Sequence, residues 1–128
     1  MKDQVDNLTA KGIKAAAIFS GMSTREMDTT LDNCIYGDYK FLYVSPERLK
    51  TELFIERFRQ MNVNLIAVDE AHCISQWGYD FRPSYLEIAK IRVFHPRVQI
   101  LALTASATPE VCKDIQDKLE MKSPREIR

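Results

Sequence analysis

The 128-residue chain is long enough to bury one modest core, and its 45% hydrophobic and 28% charged residues argue against disorder or a coiled coil. Eighteen basic residues balance eighteen acidic ones, so the overall basic excess of a free-standing nucleic-acid binder is missing; a neutral chain can still carry a local basic stripe. No apolar run reaches membrane-spanning length, the first residues do not read as a signal peptide, and Cys34, Cys73 and Cys112 are too scattered for a disulfide framework or a zinc site.

Met1, Val5 and Leu8 share one helical face, with Gly12 placed as the helix stop. Ala15-Ala16-Ala17-Ile18-Phe19 reads as a short buried strand. Ser23-Thr24-Arg25-Glu26 is a capping box, opening a helix whose apolar side includes Met27, Leu31, Cys34 and Ile35. Phe41-Leu42-Tyr43-Val44 is a second strand, and Ser45-Pro46 opens a helical turn where the missing proline N–H does no harm. Thr51 caps a helix that packs Phe54, Ile55 and Phe58 inward.

Leu65-Ile66-Ala67-Val68 is a third strand. Ser84-Tyr85-Leu86-Glu87 reads as a second capping box, leading to a helix through about Phe94. Ile100-Leu101-Ala102-Leu103 is a fourth strand, and Thr108-Pro109 opens a helix with Val111, Ile115 and Leu119 inward. Helical crossovers between continuous apolar strands predict an α/β fold: three layers, a mainly parallel sheet with helices on both faces. Ligands of such sheets gather at the carboxyl ends of the strands, where Ser20, Ser45, Asp69, Glu70, Thr104 and Ser106 accumulate.

The chemistry centres on the third strand, which runs into Asp69-Glu70. A carboxylate at a sheet rim can hold magnesium, usually through water, and an adjacent glutamate can polarise the water that attacks a terminal phosphate. By itself the string reads equally well as a strand entering a solvated acidic turn. Downstream, Trp77, Tyr79 and Phe81 surround Gly78 and adjoin Arg82, with Tyr85 close by. Exposed aromatics beside arginine form a platform for unpaired bases, at about 1–3 kcal/mol per stacked base. The alternative is that Trp77 and Phe81 simply plug the core. His95, before Pro96, reads as an ordinary loop histidine.

Asp69-Glu70-Ala71-His72 is the box of the superfamily-2 helicases, and Cys73-Ile74-Ser75-Gln76-Trp77-Gly78-Tyr79-Asp80-Phe81-Arg82-Pro83 resembles the aromatic-rich loop of RecQ-type DNA helicases. The resemblance covers nearly the whole chain. It implies the DEAH-box half of a first RecA-like motor domain over residues 1–128. Asp69 and Glu70 would then serve Mg-ATP and hydrolysis, with Asp69 toward the metal. His72 and Gln76 would lie between nucleotide and DNA, while Ser75, Trp77, Tyr79, Phe81 and Arg82 sense single-stranded DNA. Met1-Lys2-Asp3-Gln4-Val5 is similar to a segment that touches the DNA backbone through Lys2 and Gln4, although alone it is the first turn of an amphipathic helix. Tyr43-Val44-Ser45-Pro46-Glu47-Arg48-Leu49 resembles the next DNA-facing motif, with Ser45 and Arg48 as contacts. Leu103-Thr104-Ala105-Ser106-Ala107-Thr108 resembles the motif coupling hydrolysis to duplex opening. Tyr79 stands where the family more often has histidine, and Ser106 where it more often has threonine.

No G-x-x-x-x-G-K-[ST] phosphate loop occurs in the chain. The resemblance places that loop, the adenine-reading glutamine motif and two strands before Met1. It places the second motor domain, with its arginine finger, and a zinc-binding region after Arg128. The expectation is a chain that by itself neither hydrolyses ATP nor unwinds DNA, and that exposes an apolar sheet edge prone to dimerisation or aggregation. ATP and Mg2+ are the cofactors implied, with no zinc in this segment. The implied partners are single-stranded and partly duplex DNA and the rest of the helicase chain, in a bacterial nucleoid or a eukaryotic nucleus. Two other classes compete: a non-enzymatic module that binds single strands or a partner, and an RNA helicase of the wider superfamily.

Overall fold

A computed structural model describes residues 2–105 and 107–127. The chain divides into two compact units, residues 1–62 and 63–128, and each is built around one pair of parallel strands.

In the first unit, α1 (Lys2–Ala10) ends as its sequence dictates. Ile13 N–H reaches back to the Leu8 carbonyl and Gly12 N–H to that of Thr9, a closure that needs a left-handed residue, and Gly12 supplies it with φ +81°. Strands β1 (Ala15–Ile18) and β2 (Phe41–Val44) pair in parallel, with Ala15 opposite Phe41 and Ile18 opposite Val44. The crossover between them is α2 (Thr24–Tyr36), capped by Ser23, whose hydroxyl accepts from Glu26 N–H at 3.1 Å. A 3-10 turn (Pro46–Arg48) then leads to α3 (Glu52–Phe58), capped by Thr51. Ile18, Met27, Leu31, Leu49, Phe54 and Phe58 form the core, with the Phe54 and Phe58 rings stacked 5.3 Å apart. Arg57 of α3 binds Asp28 and Asp32 of α2 at 2.6 and 3.0 Å.

In the second unit, β3 (Leu65–Val68) pairs in parallel with β4 (Gln99–Ala102), with Leu65 opposite Gln99 and Val68 opposite Ala102. Between them lie a 3-10 turn (Ala71–Ile74), the aromatic loop, a second 3-10 turn (Pro83–Tyr85), α4 (Leu86–Ile91) and a third 3-10 turn (Arg92–Phe94). Helix α5 (Pro109–Lys118) follows, its N-terminus closed by Thr108, and Val111, Ile115 and Leu119 are buried as their spacing predicts.

One expectation is corrected. Ser84 does not cap α4, because Pro83 already starts the turn after an extended Arg82, so Ser84 falls inside it; Glu87 pairs with Lys90 at 3.1 Å instead. The parallel α/β architecture holds, with the described strands paired as two parallel ladders of two. Ala67 is exposed, as are Leu65, Leu101 and Leu103. Their alternation with better-covered neighbours marks one bare face of the β3–β4 pair. Met1, on the predicted face of α1, lies outside the described residues. Among the described residues no helix is long and apolar enough to cross a membrane.

Candidate functional site

The ladder of the second unit continues past its strands: Leu103 N–H donates to the Val68 carbonyl at 2.8 Å, and Ala71 N–H returns to the Leu103 carbonyl at 2.9 Å. This zipper brings the end of β4 against the turn after β3, where the predicted acid pair lies. Asp69 and Glu70 are both exposed at the carboxyl end of the strand. Asp69 Oδ1 accepts the Glu70 N–H at 2.9 Å, and Glu70 takes the left-handed conformation, φ 51° and ψ 43°. That conformation is costly for a residue with a side chain, and such strain concentrates at functional turns.

His72 is buried to 2% exposure directly beneath this turn. Its Nδ1 shares a 2.7 Å hydrogen bond with Thr104 Oγ1, and its Nε2 lies 3.5 Å from Glu70 Oε2. One imidazole therefore bridges the acid box and the segment after β4. Thr104, read from sequence as part of a coupling motif, is joined physically to the acid. Ser106, its companion in that motif, lies outside the described residues.

The aromatic loop packs against the same histidine. The Tyr79 ring stacks on His72 at 5.0 Å and 17° while remaining 77% exposed. Tyrosine at a position where the family more often has histidine thus keeps a flat face on His72. Trp77 is 79% exposed, which excludes the core-plug reading for that residue; Phe81 is half-buried. Ser75 is fully buried, and its hydroxyl accepts from Trp77 N–H at 3.1 Å, so it shapes the loop from inside. Arg82 is exposed, with its guanidinium 3.4 Å from Asp80 and its backbone N–H on the Cys73 carbonyl at 2.8 Å. Gln76 is exposed at the loop's start.

In the first unit, Lys2 and Gln4 are exposed on α1. The Ser45 hydroxyl is buried without a hydrogen-bond partner at the end of β2. Arg48 turns toward the chain itself, donating to the carbonyls of Phe19 and Met22 at 3.2 and 3.3 Å, and so secures the loop between β1 and α2.

Tyr85, close to the aromatic loop in sequence, makes a contact that the sequence did not announce. Its hydroxyl donates to the Asp69 carbonyl at 3.2 Å, sixteen residues away, and burial pushes its pKa up to about 12, so it is a neutral donor at ordinary pH. No periodicity or motif announces such a contact. Sequence reading also missed the clustering of His72, Cys73 and Asp80, whose donor atoms lie within 4.8 Å of one another. That nitrogen, sulfur and oxygen set is of the kind zinc accepts. Here its members are engaged internally: the Cys73 thiol lies 3.8 Å from Asp80, Asp80 pairs with Arg82, and His72 with Thr104. The hard, exposed carboxylates of Asp69 and Glu70 are the better match to a magnesium-type cation.

An acid pair at a strand end is thus linked through a buried histidine to the segment after β4. The family described as DEAD/DEAH box helicase matches residues 1–115. The chain belongs to the DEAD/DEAH box helicase family. Within it the RecQ resemblance is borne out. The chain is 48% identical over 128 residues to the ATP-dependent DNA helicase RecQ of Bacillus subtilis (strain 168), covering 99% of this chain and 22% of that protein. It is 42% identical over 124 residues to the protein of the same name from Pasteurella multocida (strain Pm70), covering 97% and 20%. It is 36% identical over 129 residues to the ATP-dependent helicase SGS1 of Saccharomyces cerevisiae, covering 97% and 9%. This DEAD/DEAH box chain therefore spans about a fifth or less of the length of these curated relatives.

Proposed function

We propose that the chain forms the part of a RecQ-type, ATP-dependent DNA helicase that turns single-strand engagement into ATP hydrolysis. The observation that carries this reading is the continuity of contacts from the exposed ring of Tyr79, through His72, to Glu70 on one side and Thr104 on the other. Bound Mg-ATP would supply the scissile phosphate anhydride and the charge neutralisation for its transfer. Asp69 would hold the metal side of that ligand, and Glu70 would orient the attacking water and take its proton. Trp77 and Tyr79 would stack bases without regard to sequence, with Arg82 beside them for the phosphates. A base displacing or tilting Tyr79 would act on the imidazole beneath it, and so on Glu70, which gives DNA a route to the hydrolytic group. Lys2, Gln4, Ser45 and Arg48 of the first unit would serve DNA contacts as the resemblance implies, with Arg48 acting through the loop it secures.

The test is ATP turnover by the intact protein that carries this segment, with and without single-stranded DNA. Glu70→Gln should abolish turnover while leaving DNA affinity within about twofold. Trp77→Ala should leave the DNA-free rate unchanged and remove most of the stimulation. Turnover that ignores DNA, or that survives Glu70→Gln, would sink the reading.

A further inference from the structure

From the peptide planes around Glu70 we infer that Tyr85 is a positioning residue for hydrolysis, holding Glu70 in its left-handed conformation through the Asp69 carbonyl. The inference rests on the role proposed above for Glu70. The backbone angles of a residue are set by the orientations of the peptide planes on either side of it. Both planes flanking Glu70 are pinned at both polar groups. In the plane after it, the Glu70 carbonyl accepts from Cys73 N–H at 3.0 Å, and Ala71 N–H donates to the Leu103 carbonyl at 2.9 Å. In the plane before it, Glu70 N–H donates to Asp69 Oδ1 at 2.9 Å, and the Asp69 carbonyl accepts from the Tyr85 hydroxyl at 3.2 Å.

The Asp69 side-chain contact turns with the residue that makes it, so it does not fix that plane relative to the rest of the unit. Tyr85 does. The tyrosine stands three residues after Arg82, at the far end of the aromatic loop, and its N–H donates to the Arg82 carbonyl at 3.0 Å. Its hydroxyl thus ties the loop's exit to the acid turn, on a path separate from the Tyr79–His72 stack. Without that bond the plane can rotate, and a left-handed glutamate, which has a lower-energy right-handed alternative, loses the geometry that aims its carboxylate.

Tyr85→Phe removes one oxygen and keeps the ring packing, so it is the variant to make in the intact protein. DNA-stimulated kcat should fall about five- to twentyfold, the size expected for one lost hydrogen bond acting on the transition state. KM for ATP, affinity for single-stranded DNA and melting temperature should stay near wild type. The backbone amide-to-α-proton coupling of Glu70, read by NMR, should move away from its left-handed value. An unchanged kcat overturns the inference. So does a parallel decline of melting temperature, KM and DNA affinity, which would make Tyr85 a general packing residue. Glu70→Gln in the same assay separates the two levels. If it abolishes turnover while Tyr85→Phe matches wild type, only the positioning role fails; if it leaves turnover intact, the role of Glu70 fails and the inference goes with it.

Discussion

At the level of single residues, the second unit trades local stability for a defined acid turn. Glu70 occupies a region of backbone space that suits glycine, at a cost of about 1–2 kcal/mol. Glu70→Gly should therefore fold at least as stably as the parent, to within about 1 kcal/mol after the added freedom of the unfolded chain, while losing hydrolysis in the intact protein. Chemical denaturation checks it, and a loss well beyond 1 kcal/mol would show that the turn is not strained. Thr104→Val tests the opposite case. It keeps the shape but leaves Nδ1 of a buried imidazole without its partner, so a loss of about 1–3 kcal/mol is expected. Asp69, Glu70, His72 and Thr104 were all legible as sequence motifs. That one imidazole joins Glu70 to Thr104, thirty-two residues from the histidine, was not legible, because motifs carry order along the chain and not distance across it.

At the level of elements, most boundaries were readable because their causes are local. Ser23, Thr51 and Thr108 cap the helices they precede, and Gly12 terminates α1. The end of α5 is the exception. Glu120 sits left-handed at φ 53°, where glycine is the usual residue, with Met121 N–H closing back on the Gln116 carbonyl. Arg92 reaches this end from the preceding 3-10 turn and donates to the carbonyls of Leu119 and Glu120 at 2.7 and 2.8 Å. Charged donors at a helix C-terminus stabilise it. Arg92→Met should thus cost about 1–3 kcal/mol, and Glu120→Gly should contribute about 1 kcal/mol of added stability. Both are readable as shifts in the denaturation midpoint, and changes of the opposite sign would refute this account of the helix end. Neither residue stood out in sequence, because a long-range cap looks like any surface arginine.

At the level of the whole molecule, two features govern solution behaviour. The β3–β4 pair leaves Leu65, Leu101 and Leu103 about half exposed on one face, and apolar faces of this kind promote association. Light scattering of the isolated chain should show mass rising with concentration, and Leu101→Lys should suppress the rise; a monomer at all concentrations would contradict this. The second feature is alkaline sensitivity. Burial raises the Cys34 thiol to about 11 and the Tyr85 phenol to about 12. Each is an acid that the fold keeps protonated, so its contribution is complete below the unfolded pKa, near 9 for the thiol and 10 for the phenol. That contribution is lost as pH rises through the folded value. Stability should therefore fall between about pH 9 and 12, and Cys34→Ser should flatten the lower part of that decline in a pH series of melting curves.

The sequence by itself determined the strand and helix order, most of the caps, the acid box, the aromatic-rich string and the family, because each depends on neighbouring residues or on an ordered string. Tertiary structure decided the pairing into two parallel ladders, the left-handed glutamate, the histidine bridge to Thr104, the stacking of Tyr79 and the reach of Tyr85 to Asp69. Those depend on which peptide planes and rings meet once the chain has crossed over. A parallel ladder joins residues more than thirty apart, and no local pattern encodes where such partners will land.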